Sequence, residues 1–507
     1  MAKLKLSSYF DEIYTKGEFP KFKIFVDGKW IATKKKQDLI SSTDGKKLAE
    51  IALADAEDID YAVESANKNK NKIREMAAID RLELMNRVML GIEEHKEEIA
   101  RVLVAESGKA LSSARGEINA SIERMRLSME DSKKIIGEYL PGDWASDTSE
   151  KVAIVIREPI GVVLGISPFN YPVYTSIAKI LPALLAGNTV ILKPPSADPI
   201  AFMMCAEIFR KSGLPSGTLQ VITGSGSETG DLLSTNNKID MISFTGSTSV
   251  GKHIASIAGL KKVHLELGGK GNALVLADAD LEIAGKQCVK GSLELAGQRC
   301  DAISRILVVE SVYDKFIKKV KEHISDFKFG DPTKSDDITM GPVISAEAAE
   351  RIDKMVKDSI NKGAKLLAGG KHKGAYYEPT LLVDVPLTAE IANEETFGPV
   401  ITIIKVKDTE EAINVANDSK YGLDSCVFTK DFYNAWETMK ALQSGNVTLN
   451  AAPSHGTAYF PFGGVKESGY GKEGVGYTIE EMTTVKTMVF DLSPKHLGKT
   501  YKGTFKE

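Results

Sequence analysis

The side chains of this sequence that could do covalent chemistry are few and widely spaced. Cys205, Cys288, Cys300 and Cys426 form no C-x-x-C pair, so neither a zinc site nor a disulfide framework is indicated and each thiol is judged alone. A cysteine thiolate is nucleophilic near neutral pH, and a carboxylate in a partly desolvated cleft can act as a base. Two segments combine such groups with glycine: Leu265-Glu266-Leu267-Gly268-Gly269-Lys270 and, 34 residues after Glu266, Gly297-Gln298-Arg299-Cys300. Taken singly, Glu266 reads as a solvent-exposed acid after a strand, and Cys205 and Cys426 as small buried hydrophobes. The seven histidines show no ligand spacing with acids or cysteines, so no metal site is expected.

Glycine-rich turns suggest phosphate binding. Gly246-Ser247-Thr248-Ser249-Val250-Gly251-Lys252 nearly spells a P-loop, but His253 stands where a Ser or Thr would hold magnesium. The segment still fits a pyrophosphate at a helix N-terminus. Gly224-Ser225-Gly226 with Gly230 departs from G-x-G-x-x-G and is equally readable as an ordinary strand-to-helix turn. Ser167-Pro168-Phe169-Asn170-Tyr171-Pro172 and Ile191-Leu192-Lys193-Pro194-Pro195-Ser196 end two further strand-like runs, where ligands of parallel sheets bind.

The elements that must carry these turns are legible in the hydrophobic pattern. Asp55 to about Tyr139 has helical periodicity, with Leu82, Leu84, Val88, Ile92 and Ile99 on one face. Gly161 to Gly269 alternates short β-branched runs (161–164, 189–192, 219–222 and 241–244) with helical segments, which implies a parallel sheet with crossover helices. A second alternation after Cys300 predicts strands over 305–309 and 401–406 and helices over 313–324 and 409–417. Segments 144–158 and 483–492 read as strands outside either sheet, suited to an oligomerisation arm. The tail 493–507, rich in Lys and Gly, reads as poorly ordered.

At 507 residues the chain has room for about three structural units. Its 65 basic against 69 acidic residues provide no field for nucleic acid or anionic lipid, and no uncharged apolar run is long enough for a bilayer. The first residues lack the plan of a signal peptide, so a cytoplasmic location is expected.

Taken together and in this order, these motifs, with Glu394-Glu395-Thr396-Phe397-Gly398-Pro399 and Pro461-Phe462-Gly463-Gly464-Val465-Lys466-Glu467-Ser468-Gly469, resemble the aldehyde dehydrogenase superfamily from about Phe25 to Leu492. The resemblance implies an α/β fold with a doubly wound parallel-sheet dinucleotide-binding domain (1–138 and 160–269), a second α/β catalytic domain (270–477) and a small β oligomerisation arm with tail (139–159 and 478–507). It implies that Cys300 attacks an aldehyde, Asn170 and the Cys300 backbone N–H stabilise the oxyanion, and Glu266 activates the water that hydrolyses the thioester. For the cofactor it implies Ser167, Phe169, Lys193, Ser196, Gly226, Gly246, Ser247, Glu395 and Phe397. A homodimer or homotetramer is expected.

Superfamily members that prefer NAD carry a Glu at the position of Ser196. Here a 2′-phosphate meets no carboxylate and Lys193 stands close by, so NADP is expected, with NAD as the alternative. Within the superfamily the chain looks most like the non-phosphorylating glyceraldehyde-3-phosphate dehydrogenases, which implies Tyr171, Arg299 and His455 for a phosphorylated aldehyde. His455 and Ala120 stand where that group carries arginines, so Arg124 and Arg126 are considered as substitutes. Lactaldehyde and succinic semialdehyde are the alternative substrates, a CoA-acylating enzyme and a non-catalytic homologue the alternative classes.

Overall fold

Short β-branched runs punctuated by glycine and proline become five mutually parallel strands: Val162–Ile166, Thr189–Lys193, Leu219–Val221, Met241–Thr245 and Lys262–Glu266. This computed structural model describes residues 4–454 and 459–493. Both faces of the sheet are covered, which is why its strands are almost continuously apolar. Val163 packs into a core with Ile177, Leu181 and Leu184, while Val162 and Leu164 face the opposite core with Ile59, Val63 and Ile242.

The order of these strands creates the binding crevice. The chain starts in the centre with Val162–Ile166, adds Thr189–Lys193 and Leu219–Val221 on one side, then reverses to add Met241–Thr245 and Lys262–Glu266 on the other. The reversal opens a gap at the carboxyl ends of Val162–Ile166 and Met241–Thr245, where ligands of doubly wound sheets bind. Antiparallel strands Ile24–Val26 with Lys29–Ile31 and, on the far side, Gly469–Tyr470 complete the sheet. Gly469–Tyr470 comes from the 270–477 segment, so a single sequence boundary does not separate the two sheets.

A second sheet runs Lys365–Ala368, Thr380–Val383, Val400–Val406, Ile303–Val309, Gly271–Val275, Asp424–Phe428, Asn446–Leu449, with Lys365–Ala368 alone antiparallel. Helices Tyr313–Ile324 and Thr409–Asn417 match the sequence pattern residue for residue. The helical layer consists of Ala56–Lys68, Lys70–Arg74, Ala78–Glu94, Lys96–Ser107 and Leu111–Ser132. It ends before Tyr139, because Glu138–Pro141 pairs with the arm strand Lys151–Pro159. Thr483–Asp491 completes that three-stranded arm, which exposes Tyr139, Leu140, Ile154, Val489 and Phe490. No helix among the described residues is long and apolar enough to cross a membrane.

Candidate active site

One cleft of about 1460 Å³ runs from the carboxyl ends of the first sheet to the second and is lined by Asn170, Glu266 and Cys300. Cys300 is half-buried, whereas Cys205, Cys288 and Cys426 are buried in the cores. Burial, reinforced by Asp301, Asp424, Glu266 and Glu395, pushes the Cys300 thiol well above its ordinary range, so it rests protonated.

A strained turn presents Cys300. Leu295 and Ala296 both have φ of 53° and Gly297 has φ of 69°, three successive left-handed residues. For the two non-glycine residues this costs about 1–2 kcal/mol each. A Cβ on Gly297 would collide with Gly398 O, so glycine is required there. Gln298 stabilises the turn by donating to Leu295 O (3.2 Å) and accepting from the Ile344 N–H (2.8 Å).

Asn170 sits between Val162–Ile166 and helix Pro172–Leu185, and its turn is braced from the helical layer. Lys109 Nζ donates to Asn170 O (2.7 Å) and contacts Glu117, and both side chains are buried. Glu117 Oε1 in turn accepts from the Val173 and Tyr174 N–H groups (2.8 and 3.1 Å), capping the helix. The Asn170 amide makes no hydrogen bond to any described side chain or main-chain group and lines the cleft, so it can donate to a ligand oxygen.

Glu266 ends Lys262–Glu266 with both carboxylate oxygens buried and outside hydrogen-bond geometry with the described residues. Burial, opposed by His264, raises its pKa to about 7. His264 precedes it by two positions, so strand alternation puts both on one face. Its Nε2 lies 3.3 Å from Glu266 Oε1 as an ion-pair contact. Lys179 donates to Thr245 Oγ1 (2.7 Å) and pairs with Glu473 (2.9 Å) beneath the same site. His264, Lys179 and Glu473 were not singled out in the sequence, although the period of two already aligned His264 with Glu266.

Of the residues implied for the cofactor, Ser167, Phe169, Lys193, Gly226, Gly246, Ser247, Glu395 and Phe397 line the same cleft. The Lys193 ammonium is buried without a counter-ion or hydrogen-bond partner among the described residues, and burial lowers its pKa to about 8. A buried, unpaired ammonium at a strand's carboxyl end fits the hydroxyls and phosphate of a nucleotide. Glu395 accepts from the Gly269 N–H (3.1 Å), and Phe397 meets Phe169 edge-on with centroids 5.7 Å apart. Ser196 is not among the lining residues; its hydroxyl donates to Gly224 O (3.1 Å). Lys252, the residue of the near-miss P-loop, pairs with Glu467 (2.6 Å).

Of the positions considered for substrate, Tyr171, Arg299 and Ala120 line the cleft. Arg299 is not free: Nε and Nη2 donate to Asp301 (2.9 and 2.8 Å), Nη1 to Glu294 (2.7 Å) and Nη2 also to Pro453 O (3.1 Å). Arg124 and Arg126 do not replace the missing arginines. Arg124 is buried and donates to Thr478 Oγ1 (3.0 Å), because its helix turns it toward the C-terminal segment. Arg126 is exposed and pairs with Glu123 and Glu130. His455 lies outside the described residues.

Comparison with known proteins gives the same answer as this geometry. The sequence profile of the Aldehyde dehydrogenase family matches residues 30–488. An NADP-dependent glyceraldehyde-3-phosphate dehydrogenase of Streptococcus equinus is 40% identical over 93% of this chain and 99% of that protein. A 3-sulfolactaldehyde dehydrogenase of Priestia aryabhattai is 37% identical over 92% of this chain and 98% of its own length. The NADP complex of the NADP-dependent glyceraldehyde-3-phosphate dehydrogenase of Bacillus halodurans C-125 superposes with a TM-score of 0.91 at 38% identity, covering 93% of this chain and 99% of that one. With its parallel-sheet crevice and a cysteine and buried glutamate lining one cleft, the chain belongs to the aldehyde dehydrogenase family.

Proposed function

We propose that this protein oxidises glyceraldehyde 3-phosphate to 3-phosphoglycerate with NADP, without inorganic phosphate. The observation that carries the chemistry is the convergence of Cys300, Asn170 and Glu266 on one cleft. Cys300 gives its thiol proton to solvent water when aldehyde is seated, and its sulfur bonds to the carbonyl carbon as the C=O π bond opens to the oxyanion. The Asn170 amide donates to the oxyanion, a contact worth about 3 kcal/mol in comparable sites. NADP held in the cleft would supply the acceptor for the hydride of the tetrahedral carbon. The thioester left on Cys300 is then hydrolysed: Glu266 takes a proton from water, the water oxygen bonds to the acyl carbon, and the carbon–sulfur bond breaks.

Lys193, Glu395 and the turn at Gly246-Ser247 would hold the nucleotide. No carboxylate at Ser196 repels a 2′-phosphate, which supports NADP over NAD. The oligomer we assign is a homodimer or homotetramer, supported by the exposed apolar face of the antiparallel arm. Its expected location is the cytoplasm.

Glyceraldehyde 3-phosphate is supported by the cationic Arg299 beside Cys300 and by the streptococcal relative. A second reading is a short uncharged aldehyde such as lactaldehyde, favoured by the two carboxylates that already neutralise Arg299. NADPH formation on glyceraldehyde 3-phosphate, 3-sulfolactaldehyde, lactaldehyde and succinic semialdehyde separates the two. The highest kcat/KM on the phosphorylated substrate supports the first reading, and the highest on lactaldehyde the second.

A further inference from the structure

At the wall of the cleft, three carboxylates and two cations lie together. His264, 2% exposed, holds Glu481 Oε2 at 2.6 Å with Nδ1, and its Nε2 faces Glu266 Oε1 at 3.3 Å and Glu473 Oε1 at 3.9 Å. Glu473 has its own cation in Lys179 at 2.9 Å, which also donates to Thr245 and Ser243 (2.7 and 3.3 Å). Lys472 is engaged elsewhere: its Nζ donates to Gly463 O, while its N–H reaches Glu481 Oε1 at 3.5 Å. From the second sheet Cys300 and Asp424 add no positive charge. Among the described residues, His264 is the cation in ion-pair contact with Glu266, and Lys179 acts on it from farther off.

The approach is built into the backbone. Gly471 has φ of +97°, and a Cβ there would collide with His264 Nδ1. Gly463 covers Glu266 so closely that a Cβ would stand 2.7 Å from Oε1. Both side chains are thus held on one face with no room to swing past these turns.

We infer that His264 is a positioning residue whose imidazolium, anchored by Glu481, keeps Glu266 ionised and aimed for water activation; this rests on the reading of Glu266 as the base. The physical reason is a contest of signs. Burial favours the neutral carboxyl, and a protonated acid cannot accept a proton from water. A neighbouring cation favours the carboxylate, typically by 1–3 pH units. His264 is itself driven up to about 9, its burial being outweighed by Glu266 and Glu481, so it is charged throughout the neutral range. Without it, only the weaker pull of Lys179 opposes burial at Glu266.

The test is the rate of acyl-enzyme hydrolysis after a single NADPH burst, measured against pH in the full-length enzyme for H264N, E481Q and E266Q. H264N should keep the burst and move the acid limb of hydrolysis upward by about 1–2 pH units, a loss of about tenfold or more at pH 6. E481Q, which leaves the imidazole but removes its anchor, should move the limb the same way by less. If E266Q abolishes hydrolysis while the limb stays put in H264N, the role of His264 is overturned and the base assignment stands. If E266Q turns over normally, the base assignment fails instead. Should H264N lose the burst through misfolding, E481Q decides, and an unmoved limb overturns the proposal.

Discussion

Asp301 clasps Arg299 through two hydrogen bonds, Nε to Oδ1 at 2.9 Å and Nη2 to Oδ2 at 2.8 Å, immediately beside the cleft-facing Cys300. A fork that could grip a phosphate is thereby turned toward a protein carboxylate, with Glu294 engaging the third nitrogen at 2.7 Å. Glu294 is partly exposed, so the Asp301 contact is the stronger constraint. Whatever anion reaches Arg299 competes with this pair.

The competition gives a prediction about substrate. D301N releases one charge-assisted interaction, so its KM for glyceraldehyde 3-phosphate should fall several-fold while that for lactaldehyde stays within about twofold. R299A should raise KM for the phosphorylated aldehyde far more than for lactaldehyde. Parallel steady-state kinetics on both substrates checks this. Equal changes for both remove Arg299 from phosphate binding.

Cofactor choice is testable at a neighbouring position. S196E places a carboxylate beside the Lys193 strand end, where it can accept from a 2′-hydroxyl and repel a 2′-phosphate. The ratio of kcat/KM for NADP over NAD should drop by about tenfold or more, in line with an unfavourable charge contact of roughly 1.4 kcal/mol. An unchanged ratio would mean that the ribose is read elsewhere.

The pH profile follows from Glu266. Its pKa stands near 7 because burial outweighs His264, and the ionised form is the base. Hydrolysis should therefore fall about tenfold per unit as pH drops below about 7 and level off above it. Acylation has a separate dependence. The Cys300 thiol is pushed well above its ordinary range, so the NADPH burst should keep accelerating with alkaline pH. Rapid-mixing measurements of the two phases resolve them.

The brace behind Asn170 should be costly to break. Lys109 and Glu117 are both fully buried, and removing one partner strands the other charge. K109A should lose about 3–5 kcal/mol of stability, read from denaturant unfolding, and slow acylation by loosening the Asn170 turn. Little change in unfolding would show that Glu117 retains its other partners without Lys109.

What the sequence made legible, and what it hid, divides along physical lines. Parallel strands buried on both faces announce themselves as β-branched runs, so Val162–Ile166 and Met241–Thr245 were readable, and with them the crevice carrying Asn170 and Gly246. Cys300 and Glu266 stood out only through the resemblance of the whole motif set to the aldehyde dehydrogenase superfamily, since Glu266 alone reads as an exposed acid. Pairing between charges was not legible. Asp301 is adjacent in sequence to Cys300, yet nothing in its neighbours says that its carboxylate folds back on Arg299. Arg124 looked available one turn beyond Ala120, but its helix buries it against Thr478, a contact across more than half the chain. Ser196 stood at the right motif position while its hydroxyl turned to Gly224 O, a choice made by tertiary packing.

The most direct test is to mix E266Q with NADP and aldehyde, follow NADPH through the first turnover, and weigh the protein. The expected result is one equivalent of NADPH per active site followed by a stall, with an acyl group on Cys300 and no adduct in a Cys300→Ser control. Continuous turnover by E266Q, or an acyl group on another residue, would contradict the roles assigned to Cys300 and Glu266.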